Sequence, residues 1–145
     1  MTEIAFHFNV PDKLAYGCRL LRKAYLGGSR VMVTGDATVL AELDRWLWHF
    51  SATEFVPHNL FTTPENYLAA SPILLAESLA DCPHQEVLVN FGPGIPANFE
   101  RFARFIEVVT RAQDDMVAAR SRWKHYATRG YSLKKHDLAA LGAGA

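Results

Sequence analysis

Residues 86–97 read EVLVNFGPGIPA, and the character of this stretch decides the fold. Glu86 to Phe91 is an apolar run of strand length, bounded at once by turn residues. Gly92-Pro93-Gly94 breaks it, and Pro96 to Phe102 reads as a helical turn with proline at a tolerated first position. A strand apolar on both faces belongs in a sheet covered on both sides. The flanking sequence repeats the theme. Ile4 to Asn9, Arg30 to Thr34 (with VMVT), Pro72 to Ala76 and Phe105 to Thr110 are further apolar runs, and Phe55 to Pro57 reads as a short strand. Between them lie stretches of helical spacing. Pro11-Asp12 opens one in which Leu14, Cys18, Leu21 and Ala24-Tyr25 recur, and Gly27-Gly28 stop it. After a turn at Gly35-Asp36, Val39 to Trp48 carries Leu40, Leu43 and Leu47 on one side. Ala112 to about Thr128 is a long helix, with Gly130 where a left-handed cap is common. Residues 61–70 read as loop. Strands alternating with helices predict an α/β domain: three layers, α/β/α, around a mainly parallel sheet. There is no repeat and no linker, so residues 1–145 are expected to form one domain.

Such folds often hold nucleotides, and Gly92 to Ala97 matches G-x-G-x-x-G/A on paper. The match is weak. Pro93 and Pro96 remove backbone N–H groups that a phosphate would need. The acid expected about 20 positions later is missing, since that region reads VVTRA. The segment follows a late strand, so a turn is the simpler reading. Neither a phosphate-cradling G-x-x-x-x-G-K-[ST] nor a G-x-S-x-G elbow occurs. His7, His49, His58, His84, His125 and His136 form no H-x-x-x-H pair, so no metal and no cofactor are expected. His58, at a strand end, has the chemistry of a base but more often such a residue packs or caps. No catalytic residue is expected.

Half of the 145 residues are hydrophobic, enough for a sizeable core. Cys18 and Cys82 stand far apart without CxxC spacing, which fits buried thiols in a reducing compartment. The start MTEIAFHFNV has no basic region and no apolar run approaches a membrane span, so a cytoplasmic protein is expected. The net charge is zero but unevenly spread. Residues 1–110 carry twelve acids against eight bases, and residues 111–145 carry three acids against seven bases. A basic end on an acidic chain points to an anionic partner there.

Two regions carry the interaction chemistry. In Arg120-Ser121-Arg122-Trp123-Lys124-His125-Tyr126, a helix of about 100° per residue puts Met116, Arg120, Trp123, Lys124 and Ala127 on one face. An indole between two cations can hold a carboxylate by charge and an apolar ring by stacking. The same pattern is also that of an amphipathic helix with its tryptophan in the core, or of a single-strand binding surface. In the second region, Trp46, Trp48, Phe50 and Phe55 crowd more aromatics together than one helix face and one short strand easily hide. Such clusters are enriched at interfaces, although a dense core would read the same.

LDRWLW (43–48), EFVPHNL (54–60) and ARSRWKHYATRGYSL (119–133) together resemble the chi subunit family of bacterial DNA polymerase III, and the element order agrees over nearly the whole chain. The resemblance implies a Rossmann-like fold without a nucleotide site, in a non-catalytic accessory of the clamp loader. It implies two partners in DNA replication: the psi subunit, as a 1:1 heterodimer, and the acidic C-terminal tail of single-stranded DNA-binding protein. No direct nucleic-acid contact is implied. Carried onto this sequence, the tail would meet Arg120, Trp123 and Lys124, with Tyr126, Gly130 and Tyr131 nearby, and psi would meet Trp48, Phe55, Val56 and Pro57. The family can carry a basic residue one turn before the arginine, where this chain has Met116. Lys134, Lys135 and His136 are the cations that could compensate. The two other functions open on the residues alone are a nucleotide-dependent enzyme using Gly92 to Ala97 and a direct binder of single-stranded DNA.

Overall fold

The structure, a computed structural model, describes residues 2–49, 59–60, 72–77, 79 and 84–139. Its strands are β1 (Glu3–Val10), β2 (Val31–Thr34), β3 (Asn59–Leu60), β4 (Ile73–Leu75), β5 (Val87–Asn90), β6 (Arg104–Thr110) and β7 (Leu133–Asp137). Its helices are α1 (Lys13–Leu26), α2 (Ala37–His49) and α3 (Gln113–Thr128), with one 3-10 turn at Phe99–Arg101. The strands form one sheet in the order β3-β4-β2-β5-β6-β1-β7, and every pairing among them is parallel.

Side-chain alternation divides the strands between two layers. Val31 and Val33 of β2 and Val87 and Val89 of β5 pack with Cys18 and Leu21 of α1 and Leu40, Leu43 and Leu47 of α2. Met32 and Leu88 point the other way, joining Ile4, Phe6 and Phe105 beneath Ala119 and Tyr126 of α3. The result is α/β/α, with the parallel strands buried from both sides as their apolar runs require. Asp12 and Asp36 start the first two helices by accepting from amides of the first turn, Leu14 and Ala15 in one case and Val39 in the other. α3 ends at Gly130, whose φ of 83° lies in the left-handed region.

Three elements differ from expectation. The helical turn after Pro96 is confined to Phe99–Arg101, because Asn98 stands in the left-handed region (φ 70°) just before it. Leu133–Asp137, unassigned by periodicity, is an edge strand pairing with β1. Its LKKHD sequence is polar enough to hide the alternation, and lysines on an edge strand protect it from foreign strands. A short strand lies at Asn59–Leu60, whereas the strand expected at Phe55 to Pro57, the loop at 61–70, His58 and Cys82 lie outside the described residues.

β1 also holds a local irregularity that shapes its surroundings. Its register with β6 shifts between His7 and Val10, and Asn9 sits at φ 60°, a conformation asparagine tolerates better than most residues. Phe6 and Phe8 therefore face α3, while Val10 packs in the opposite layer. The Asn9 amide donates to Asp137 of β7 at 2.8 Å, tying the bulge to the edge strand.

Candidate functional site

The sheet of β1, β6 and β7 and the flank of α3 enclose a groove of about 460 Å³. Phe6 and Phe8 supply its floor from β1, Val109 its inner wall from β6, and Met116, Ala119, Arg120 and Trp123 its helical wall. Trp123 is half-buried, with its ring edge-to-face against Phe6 at 5.1 Å between centroids. The indole is thus braced by the core on one side and open on the other. Lys135 reaches across from β7 to place its ammonium 5.4 Å from the centre of the Trp123 ring, within cation–π range. Arg120 is exposed at the rim. An apolar trough flanked by a guanidinium and an ammonium can take an apolar ring while pairing a carboxylate at its edge.

The sequence-derived tail residues separate into two groups. Arg120 and Trp123 meet in this groove, together with Met116. Lys124 is exposed on α3 but lines no part of it. Tyr126 is corrected to the core: it is fully buried, so it has no surface for a ligand. The cause is the angle around α3, which turns residues 119, 122 and 126 toward the sheet. Gly130 terminates the helix, and Tyr131 packs half-buried against Phe99 and Tyr126, away from the groove. Phe6, Phe8 and Val109 escaped the sequence reading. The alternation in AFHFNV carried a signal for the two phenylalanines, since they fall on one face of that strand.

Beneath the groove lies a buried polar network. Glu107 of β6 is fully buried and accepts from three donors: Arg122 Nε at 3.0 Å, Tyr126 hydroxyl at 2.6 Å and Asn90 Nδ2 at 2.8 Å. Burial raises the Glu107 pKa, opposed by the Arg122 charge and the hydrogen bonds from Tyr126, Arg122 and Asn90. Burial and the neighbouring carboxylate raise the Tyr126 pKa, so its hydroxyl remains a donor. The network extends into the glycine turn. Arg122 Nη1 donates to the Pro93 carbonyl at 2.7 Å and Asn90 Nδ2 to the Gly94 carbonyl at 3.0 Å, while the Gly92 amide donates to Asn90 Oδ1 at 2.9 Å. The turn that resembled a dinucleotide fingerprint is filled and pinned by the protein's own side chains. A Cβ at Gly92 would stand 3.3 Å from Asn90 Oδ1, which accounts for glycine there.

On α2, Trp46 and Trp48 are 40% and 57% exposed, so this part of the aromatic cluster is surface. Phe55, Val56 and Pro57 lie outside the described residues. Among the described residues no group of histidine, cysteine, aspartate or glutamate could hold a metal ion, and no helix is long and apolar enough to cross a membrane.

A three-layer α/β architecture whose nucleotide-like turn is occupied from within defines a Rossmann-like protein with an apolar, cation-rimmed groove. Comparison with known proteins makes the assignment specific. A family model described as "DNA polymerase III chi subunit, HolC" matches residues 1–134. The DNA polymerase III subunit chi of Pseudomonas aeruginosa is 31% identical over 144 residues, covering 95% of this chain and 98% of the relative. That of Haemophilus influenzae is 26% identical over 123 residues, covering 83% and 84%. This chain belongs to the DNA polymerase III chi subunit family and is a replication accessory subunit.

Proposed function

We propose that this chain is a non-catalytic bridge in the DNA polymerase III holoenzyme, joining a psi-like subunit of the clamp loader to the acidic C-terminal tail of single-stranded DNA-binding protein. The observation that carries this reading is the α3 groove. Its phenylalanine floor and braced Trp123 suit an apolar end residue, and Arg120 at the rim suits a terminal carboxylate, since its planar fork matches that group. Lys135 supplies the cation that the family can carry where this chain has Met116. Lys124, exposed one turn along, adds attraction for the tail's acids at longer range. The psi-like partner is assigned to Trp48, Phe55, Val56 and Pro57, supported on α2 by the exposure of Trp46 and Trp48. Both partners are proteins, and the chain is placed in the cytoplasm.

The test uses two peptides of the tail, one with a free C-terminal carboxylate and one amidated. Immobilised, the free-acid peptide should retain the protein and the amidated one should release it early. Equal retention would place the recognition elsewhere than at a terminal carboxylate.

A further inference from the structure

The excess of bases at the C-terminal end is only partly used by the α3 groove. A second groove, of about 750 Å³, lies on the opposite face of the sheet between α1 and the edge strand β7. Arg19 and Lys23 of α1, Arg104 of β6, Lys134 and His136 of β7 and His7 of β1 line it. No aspartate or glutamate does. Among the described residues no ion pair engages Arg19, Lys23, Arg104 or Lys134. Glu3 is paired in register with Arg104 without forming one. The groove is therefore an unneutralised basic concavity on a chain of zero net charge.

Its rings are already engaged. His7 stacks on His136 with 4.6 Å between centroids, and the Tyr16 hydroxyl is hydrogen-bonded to His7 Nδ1. Single-strand sites present aromatic faces on which successive bases stack, whereas the rings lining this groove, His7, His136 and Tyr16, contact one another. A twelve-to-eight acid excess over residues 1–110 also disfavours a long phosphate track. Carboxylates on an extended peptide fit the charge without needing a stacking plate. Lys135 lines both this groove and the α3 groove, so the two basins meet at the β7 edge.

We propose that the α1–β7 groove is a second subsite for acidic peptide, taking the upstream acids of the same segment whose apolar end fills the α3 groove, with the chain crossing the β7 edge past Lys135. This rests on the α3 groove being the tail site. Carboxylates laid beside Arg104 and Lys23 would relieve the positive field that, together with burial and His136, holds His7 down at about 4.

The experiment measures anisotropy of labelled peptides on the full chain at low salt. One peptide carries the last residues of the single-stranded DNA-binding protein, and the other adds a run of aspartates before them. The variant is Arg104→Ala/Lys134→Ala. The aspartates should tighten binding to wild type about five-fold, as for two rim charge pairs, and leave the variant unaffected. The short peptide should bind both proteins equally. In proton spectra, the long peptide alone should raise the titration midpoint of His7. If the short peptide binds but the aspartates add nothing, or add as much in the variant, the second subsite is overturned while the first stands. If neither peptide binds wild type, both readings fall. A thymidine oligonucleotide that binds wild type and is lost by the variant would overturn the peptide in favour of nucleic acid.

Discussion

Arg120 and Arg122 stand two positions apart on α3 and meet opposite surroundings. Arg122 is 2% exposed and answers the buried Glu107; Arg120 is at the surface with its charge available. The sequence placed Arg120 and Trp123 together by helical angle, but nothing in it distinguished Arg122 and Tyr126 as inward-facing, because their partner Glu107 lies fifteen residues before Arg122, a lone acid in the otherwise apolar FIEVV run. Removing one partner of a buried pair strands the other charge. Arg122→Ala should therefore cost about 3–5 kcal/mol in urea unfolding and loosen the glycine turn along with α3. His7 belongs to the same scale. Burial first, then the charges of His136, Arg104 and Lys23, lower its pKa from 6.5 to about 4. The folded state thus favours neutral imidazole, so this contribution to stability is complete above pH 6.5 and is lost as pH falls toward 4. Urea midpoints of wild type should decline over that window, and those of His7→Gln should decline less; parallel declines would remove His7 from the account.

Among elements, α1 is tightly packed at Gly17, against Phe91 just past β5 and Leu43 of α2. A Cβ there would lie 2.6 Å from the Phe91 ring and 3.5 Å from Leu43. Alanine normally improves a helix interior by about 1 kcal/mol, but overpacking of this kind costs about 1–3 kcal/mol. Gly17→Ala should thus lower the melting temperature despite its better propensity; a rise would show that Phe91 moves aside freely. The apolar strands were legible because both faces of a parallel sheet must be apolar, and α1, α2 and α3 because their periodicity and terminators are local. The edge strand β7 was not legible. A solvent-facing strand needs no alternation, and its place is set by Asn9 and the neighbouring β1 rather than by its own sequence. Its absence from the reading hid how Lys135 comes to lie over Trp123.

At the scale of the whole molecule, the chain has a Rossmann-like architecture whose glycine turn is pinned by Asn90 and Arg122, and an apolar groove rimmed by cations lies on the flank of α3. The three-layer plan could be read from the order of elements. The groove could be read only by half, since it joins residues from β1, β6, α3 and β7 that are distant in sequence, whereas periodicity reports one element at a time. The central claim is that this groove holds the tail of single-stranded DNA-binding protein through Arg120. Calorimetric titration of the full chain with the tail peptide, in wild-type and Arg120→Ala forms, tests it most directly. The account predicts saturable binding by wild type, weakened in the variant by about 1.5–3 kcal/mol, as for a hydrogen bond to a charged group, at an unchanged unfolding midpoint. Absence of binding by folded wild type, or equal binding by both forms, would contradict it.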